Sequence, residues 1–126
     1  ERWVIAPTAG IVSEFKVRHP GVPVIGFPKG AGGKLPAYAR ETGVDAIGLD
    51  ETVDPRWAAA VLPKDLPVQG NLDPLALIAG GEQLAKAVAD IISAFEDRPH
   101  VFNLGHGILQ DTPIAHVEQL LRLVRG

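Results

Sequence analysis

The sequence predicts an α/β fold built on a parallel sheet, and three observations carry that reading. Four short runs are apolar at nearly every position, as strands buried on both faces must be. Each run is followed by a turn rich in glycine or by an Asp-Pro or Thr-Pro pair. Each turn leads into an amphipathic helical stretch. Strand, turn and helix in that repeating order are βα units, whose crossover helices keep successive strands parallel.

The first element is a helix within residues 1–19, with Val4, Ile11, Val12 and Phe15 on one face. Pro7 is expected to kink or interrupt it, and His19-Pro20-Gly21 to stop it. The first strand spans 22–27, and a loop with Gly30, Gly32 and Gly33 leads to a short helix near 35–42 that Gly43 ends. A second strand covers 44–49. Asp54 then caps a helix that has Pro55 at its first position and runs to about Leu62. A third strand spans 67–70, and Asp73-Pro74 opens another helical turn. The long helix from Glu82 to Glu96 carries Leu84, Val88, Ile91, Ile92 and Phe95 on one stripe. The fourth strand spans 100–104. Thr112-Pro113 is expected to cap the last helix, with Ile114, Val117, Leu120, Leu121 and Val124 as its buried face.

All 126 residues read as one structural unit, and 46% hydrophobic content is enough to build a core. The net charge of -3 leaves no basic stripe for nucleic acid. There are no cysteines, which removes disulfides, thiolate nucleophiles and sulfur-ligated zinc, and fits a reducing compartment. No apolar run approaches the roughly 18–20 residues that a membrane span requires. With no methionine in the chain, Glu1 is expected to be an internal residue of a longer protein.

Four βα units suit either an open doubly wound sheet or half of an eight-stranded barrel. In both, function gathers at the C-terminal strand ends. Those ends read Phe27-Pro28-Lys29-Gly30, Leu49-Asp50, Gly70-Asn71-Leu72-Asp73 and Asn103-Leu104-Gly105-His106-Gly107-Ile108. Polar groups collect there while the strands behind them stay apolar.

The strings GLD at 48–50 with Thr52-Val53, QGNLDP at 69–74, and NLGHGI at 103–108 with Thr112-Pro113 resemble three successive signatures of the uroporphyrinogen decarboxylases. VPVIGFPKGAG at 22–32 resembles the preceding strand of bacterial members, and ERWVIAPT at 1–8 the helix before that. The resemblance covers essentially the whole chain. It implies an α/β fold that is the C-terminal half, strands five to eight, of a (β/α)₈ TIM barrel. The implied activity converts uroporphyrinogen III to coproporphyrinogen III by removing acetate carboxyls as carbon dioxide, in the cytoplasm and without metal or organic cofactor. A homodimer is expected, with no nucleic-acid or membrane partner. The family's catalytic arginines, aspartate, tyrosine and serine or threonine lie in the first half. No catalytic residue is therefore assigned here, and the chain alone is expected to be inactive.

His106 is the one residue that carries over, matching the family's histidine that contacts a substrate carboxylate. Imidazole suits the task because it donates a hydrogen bond when neutral and gains charge near pH 7 beside an anion. Without the resemblance it reads as a turn histidine bonded to backbone. Asp50 could bind or act as a base, but it suits a turn cap better. Asn71 and Asn103 are expected to stitch neighbouring loops. Lys29 with its glycines suggests a phosphate loop, yet no Gly-Lys-Ser/Thr pattern follows. His19, His100 and His116 read as solvated or structural.

Two rivals remain. A corrinoid-linked methyltransferase of the same barrel type needs cysteine ligands for zinc, and this chain has none. A self-associating, non-catalytic half barrel is the other. In that setting the inner face of Val24, Ile47 and Val68 is expected to lie open beside unpaired strand edges, driving two copies together.

Overall fold

A computed structural model of the chain describes residues 2–126. The elements follow in the order α1 (Ile5–Arg18), β1 (Ile25–Gly26), a 3₁₀ turn (Gly32–Lys34), α2 (Leu35–Glu41), β2 (Ala46–Gly48), α3 (Pro55–Val61), β3 (Val68–Gln69), α4 (Pro74–Ala79), α5 (Gly81–Ala94), β4 (His100–Val101) and α6 (Ile114–Arg125). The four strands form one sheet in the order β1-β2-β3-β4, every pair parallel. An isolated bridge between Leu72 and Leu104 extends the β3–β4 pairing toward the C-terminal ends. Each strand is shorter than its apolar run, because the run continues into the turns.

The caps explain the helix starts. Asp54 accepts a hydrogen bond from the Trp57 amide at 2.8 Å, and Asp73 one from Leu75 at 2.8 Å, each before a proline at the first helical position. Gly43 takes φ +74 just after α2, as a C-terminal stop requires. The last helix differs from expectation. Its N-cap is Pro113, no side chain caps it, and the buried Thr112 hydroxyl has no partner among the described residues.

Two helix faces also differ. In α1 the buried residues are Ile5 and Val12, whereas Val4, Ile11 and Phe15 are exposed. The core-facing stripe lies about a quarter turn from the expected one, at a helical period of 3.6 residues. Lys16 fixes that rotation by donating to the Gly43 carbonyl at 2.8 Å and pairing with Asp45 at 2.6 Å. Pro7 does not interrupt the helix, because it falls in the first turn, where its missing N–H costs nothing. In α6 no side chain is fully buried: Ile114 and Leu121 are exposed, while Val117, Leu120 and Val124 pack partly against the core. Helix α5 keeps its stripe through Leu84, Val88, Ile91 and Phe95; Ile92 turns outward.

The sheet has two unlike faces. Register places Gly26, Ile47, Val68 and His100 side by side on one of them. Ile47 and Val68 there are 0% exposed, and the Tyr38 ring of α2 closes over Gly26. The other face carries Ile25, Gly48, Gln69 and Val101, followed by Phe27. Ile25, Phe27 and Val101 are half exposed or more. The open face thus exists, but Val24, Ile47 and Val68 belong to the covered one. Strand alternation makes this a shift of one residue, which exchanges the two sides.

Candidate functional site

The open face ends in a cleft of about 620 Å³ at the C-terminal strand ends. Its floor is Ile25, Phe27, Gly48 and Leu49, and its rim is Lys29, Gln69, Asn103 and the turn from Leu104 to Ile108. An apolar floor with a few convergent polar groups is the usual form of a small-molecule site.

Asp50 organises this end of the sheet. It is 2% exposed, and its carboxylate accepts hydrogen bonds from the Gly30 amide at 2.7 Å, the Thr52 amide at 2.9 Å and the Thr52 hydroxyl. Burial works to raise its pKa, but the Thr52 and Gly30 hydrogen bonds and the Lys29 charge outweigh it and hold the carboxyl below its ordinary value. With its oxygens committed to the loops after β1 and β2, Asp50 is a structural tie and not a free base.

Asn71 ties the next loop to the same point. Its amide donates to the Asp50 carbonyl at 2.9 Å and to the Val53 carbonyl at 2.7 Å from a buried position. Asn103 behaves otherwise than expected. Among the described residues its side chain accepts only from the adjacent Leu104 amide, at 2.8 Å, and it remains exposed on the cleft rim.

His106 stands exposed in the cleft, between Gly105 and Gly107. Gly105 is buried, and a Cβ built on it would lie 2.2 Å from the Glu51 amide nitrogen and 2.6 Å from its Cα. Only glycine permits that approach. The contact seats the turn on the backbone that follows Asp50, so the β2 and β4 ends present His106 together. Lys29 shares both this cleft and a shallower recess that His106 forms with Glu51, Asp73 and Leu75. The Lys29 ammonium lies 3.9 Å from the Glu51 carboxylate.

The other histidines are structural. His100 contacts the Gly70 carbonyl at 2.7 Å through Nε2, and its ring packs beside Phe95 and Phe102. Burial lowers its pKa against a smaller opposing effect of that carbonyl. His116 meets the Leu77 and Ile78 carbonyls, and His19 stacks near Phe15. Sequence reasoning missed Gln69 and Glu51 as site residues, whereas Phe27 and Lys29 line the cleft as their place at a strand end implied. Gln69 was visible as the polar residue alternating with Val68, whereas the position of Glu51 depends on the tertiary contact with Gly105.

The fold and cleft define a parallel α/β protein with a cleft at its C-terminal strand ends. The chain matches the family model described as "Uroporphyrinogen decarboxylase (URO-D)" over residues 1–126. It is 77% identical over 126 residues to a protein of Rhizorhabdus wittichii named uroporphyrinogen decarboxylase, covering 100% of this chain and 37% of that protein. A protein of the same name from Sphingopyxis alaskensis is 71% identical, and one from Novosphingobium aromaticivorans 66%, with the same coverage. The chain therefore belongs to the uroporphyrinogen decarboxylase family, and it spans 37% of the length of these relatives. No helix among the described residues is long and apolar enough to cross a membrane.

Proposed function

We propose that this chain is the C-terminal half, strands five to eight, of a (β/α)₈ barrel that decarboxylates uroporphyrinogen III to coproporphyrinogen III. The observation that carries the proposal is the seating of His106: the Gly105–Glu51 contact holds it at the open end of a cleft with an apolar floor. The bare inner face of Ile25, Phe27 and Val101 supports the half-barrel reading, since a closed barrel fills that space with layered side chains.

The reaction is cofactor-independent carboxy-lyase chemistry. Protonation of a pyrrole carbon makes the ring an electron sink for the departing carboxylate, and the protein holds a polyanion and supplies the proton. This chain's share is binding. The apolar floor receives the macrocycle, and His106 donates a hydrogen bond to one of its carboxylates. The catalytic groups come from the first half, and the assembled enzyme works as a cytoplasmic homodimer.

Replacing His106 by Asn in the full-length protein tests this. Turnover should fall with the fold intact, by about 10- to 100-fold in kcat/KM if a charge-assisted hydrogen bond is lost. Unchanged kinetics would remove His106 from the substrate site.

A further inference from the structure

We infer that Lys29 is a second substrate-carboxylate contact of this cleft, held at rest by Glu51 and released to the ligand; the inference rests on the reading of a tetrapyrrole polycarboxylate site. Three observations support it. Lys29 is the one lysine or arginine lining the main cleft among the described residues, and it borders the recess below His106 as well. Its backbone is fixed, because the adjacent Gly30 amide is bonded to the buried Asp50 at 2.7 Å and the Lys29 amide reaches the Phe27 carbonyl at 3.2 Å. Its ammonium, by contrast, is loosely held: the side chain is 48% exposed and meets Glu51 only at 3.9 Å.

An ion pair between partly exposed groups at that separation contributes little and is easily exchanged. Glu51 makes no closer contact with the ammonium than this, and its buried Oε2 has no hydrogen bond among the described residues, so the pair leaves both groups incompletely satisfied. A carboxylate of the ligand, entering a less hydrated cleft, offers the ammonium a closer and better-aligned acceptor. His106 and Lys29 then grip two carboxylates of one macrocycle from the β4 and β1 ends of the sheet. The apolar floor between them takes the ring. Lysine suits this position because a flexible stem lets one point charge follow substituents that change as carboxyls are lost.

The test compares Lys29→Met, Lys29→Arg and Glu51→Gln in the full-length protein, by steady-state kinetics and by fluorescence titration with uroporphyrin III. Lys29→Met should raise KM and the dissociation constant about tenfold, the loss of one charge-assisted contact, with kcat within about twofold. Lys29→Arg should restore most of that affinity. Glu51→Gln should tighten binding, because it frees the ammonium. Unchanged affinity in Lys29→Met overturns the inference, as does equal weakening by Glu51→Gln, which would make the pair merely structural. The titration separates this from the functional reading. Porphyrin binding that depends on Lys29 in a protein without turnover would sink the decarboxylase reading and leave the inference standing. No porphyrin binding by the unaltered protein would sink both.

Discussion

Gly105 and Glu51 touch so closely that a Cβ on the glycine would stand 2.2 Å from the Glu51 amide nitrogen. That contact joins the β4 turn to the β2 turn and fixes where His106 stands. Gly105→Ala should force the two loops apart, at a cost of about 1–3 kcal/mol for overpacking. In the full-length protein it should also impair substrate binding more than Gly107→Ala, because Gly107 has open space where its Cβ would be. Denaturant melts and KM values for the two variants check this; equal effects would show that the contact does not position the site.

Asp50 gives the fold an acid-sensitive tie. Its folded pKa lies below the ordinary 3.8, so its stabilisation is present above that value and is lost as the pH falls through the folded pKa. Asp50→Asn should flatten stability against pH below about 4 and weaken the fold at neutral pH, most simply by about 1–3 kcal/mol for disturbed buried hydrogen bonds. Urea melts from pH 3 to 7, taken at roughly unit steps, supply the comparison. A variant whose acid profile matches the parent would remove Asp50 from this role.

His100 titrates in a separate window. Burial depresses its folded pKa below 6.5, so protonation favours the unfolded chain. Stability is full above the ordinary histidine range and falls as pH drops from 6.5 through the folded value. His100→Gln should abolish that part of the decline, which the same melts between neutral and mildly acid pH would detect.

Much of this architecture was legible in the sequence, and the exceptions share a physical cause. Asp54-Pro55, Asp73-Pro74 and Gly43 act through local chemistry, so their places were readable without tertiary knowledge. Asp50 as a tie and Asn71 as a stitch followed from polar residues at strand ends. The misread features depend on what lies opposite. Helix α1 is apolar around more than one stripe, and only the Lys16 contacts with Gly43 and Asp45 decide which stripe faces inward. The strands are apolar on both sides, so alternation alone could not tell Ile47 and Val68 from Ile25 and Val101. Thr112 stands one residue too early to cap α6.

The open face should make the isolated chain associate. Each large apolar side chain left in water forgoes about 1.5–3 kcal/mol, and Ile25, Phe27 and Val101 lie together there. Light scattering should report dimers or larger species, and Ile25→Ser with Val101→Thr should shift them toward monomer. A dilute, cooperatively unfolding monomer of the parent chain would contradict the half-barrel reading.

The proposed activity is measured most directly as decarboxylation of uroporphyrinogen III, followed as coproporphyrinogen III formed, by the full-length protein beside the isolated 126-residue chain. Turnover is expected from the full-length protein, none from the isolated chain, and a marked loss on His106→Asn. Turnover by the isolated chain at a comparable rate, or none by the full-length protein, would contradict the proposal.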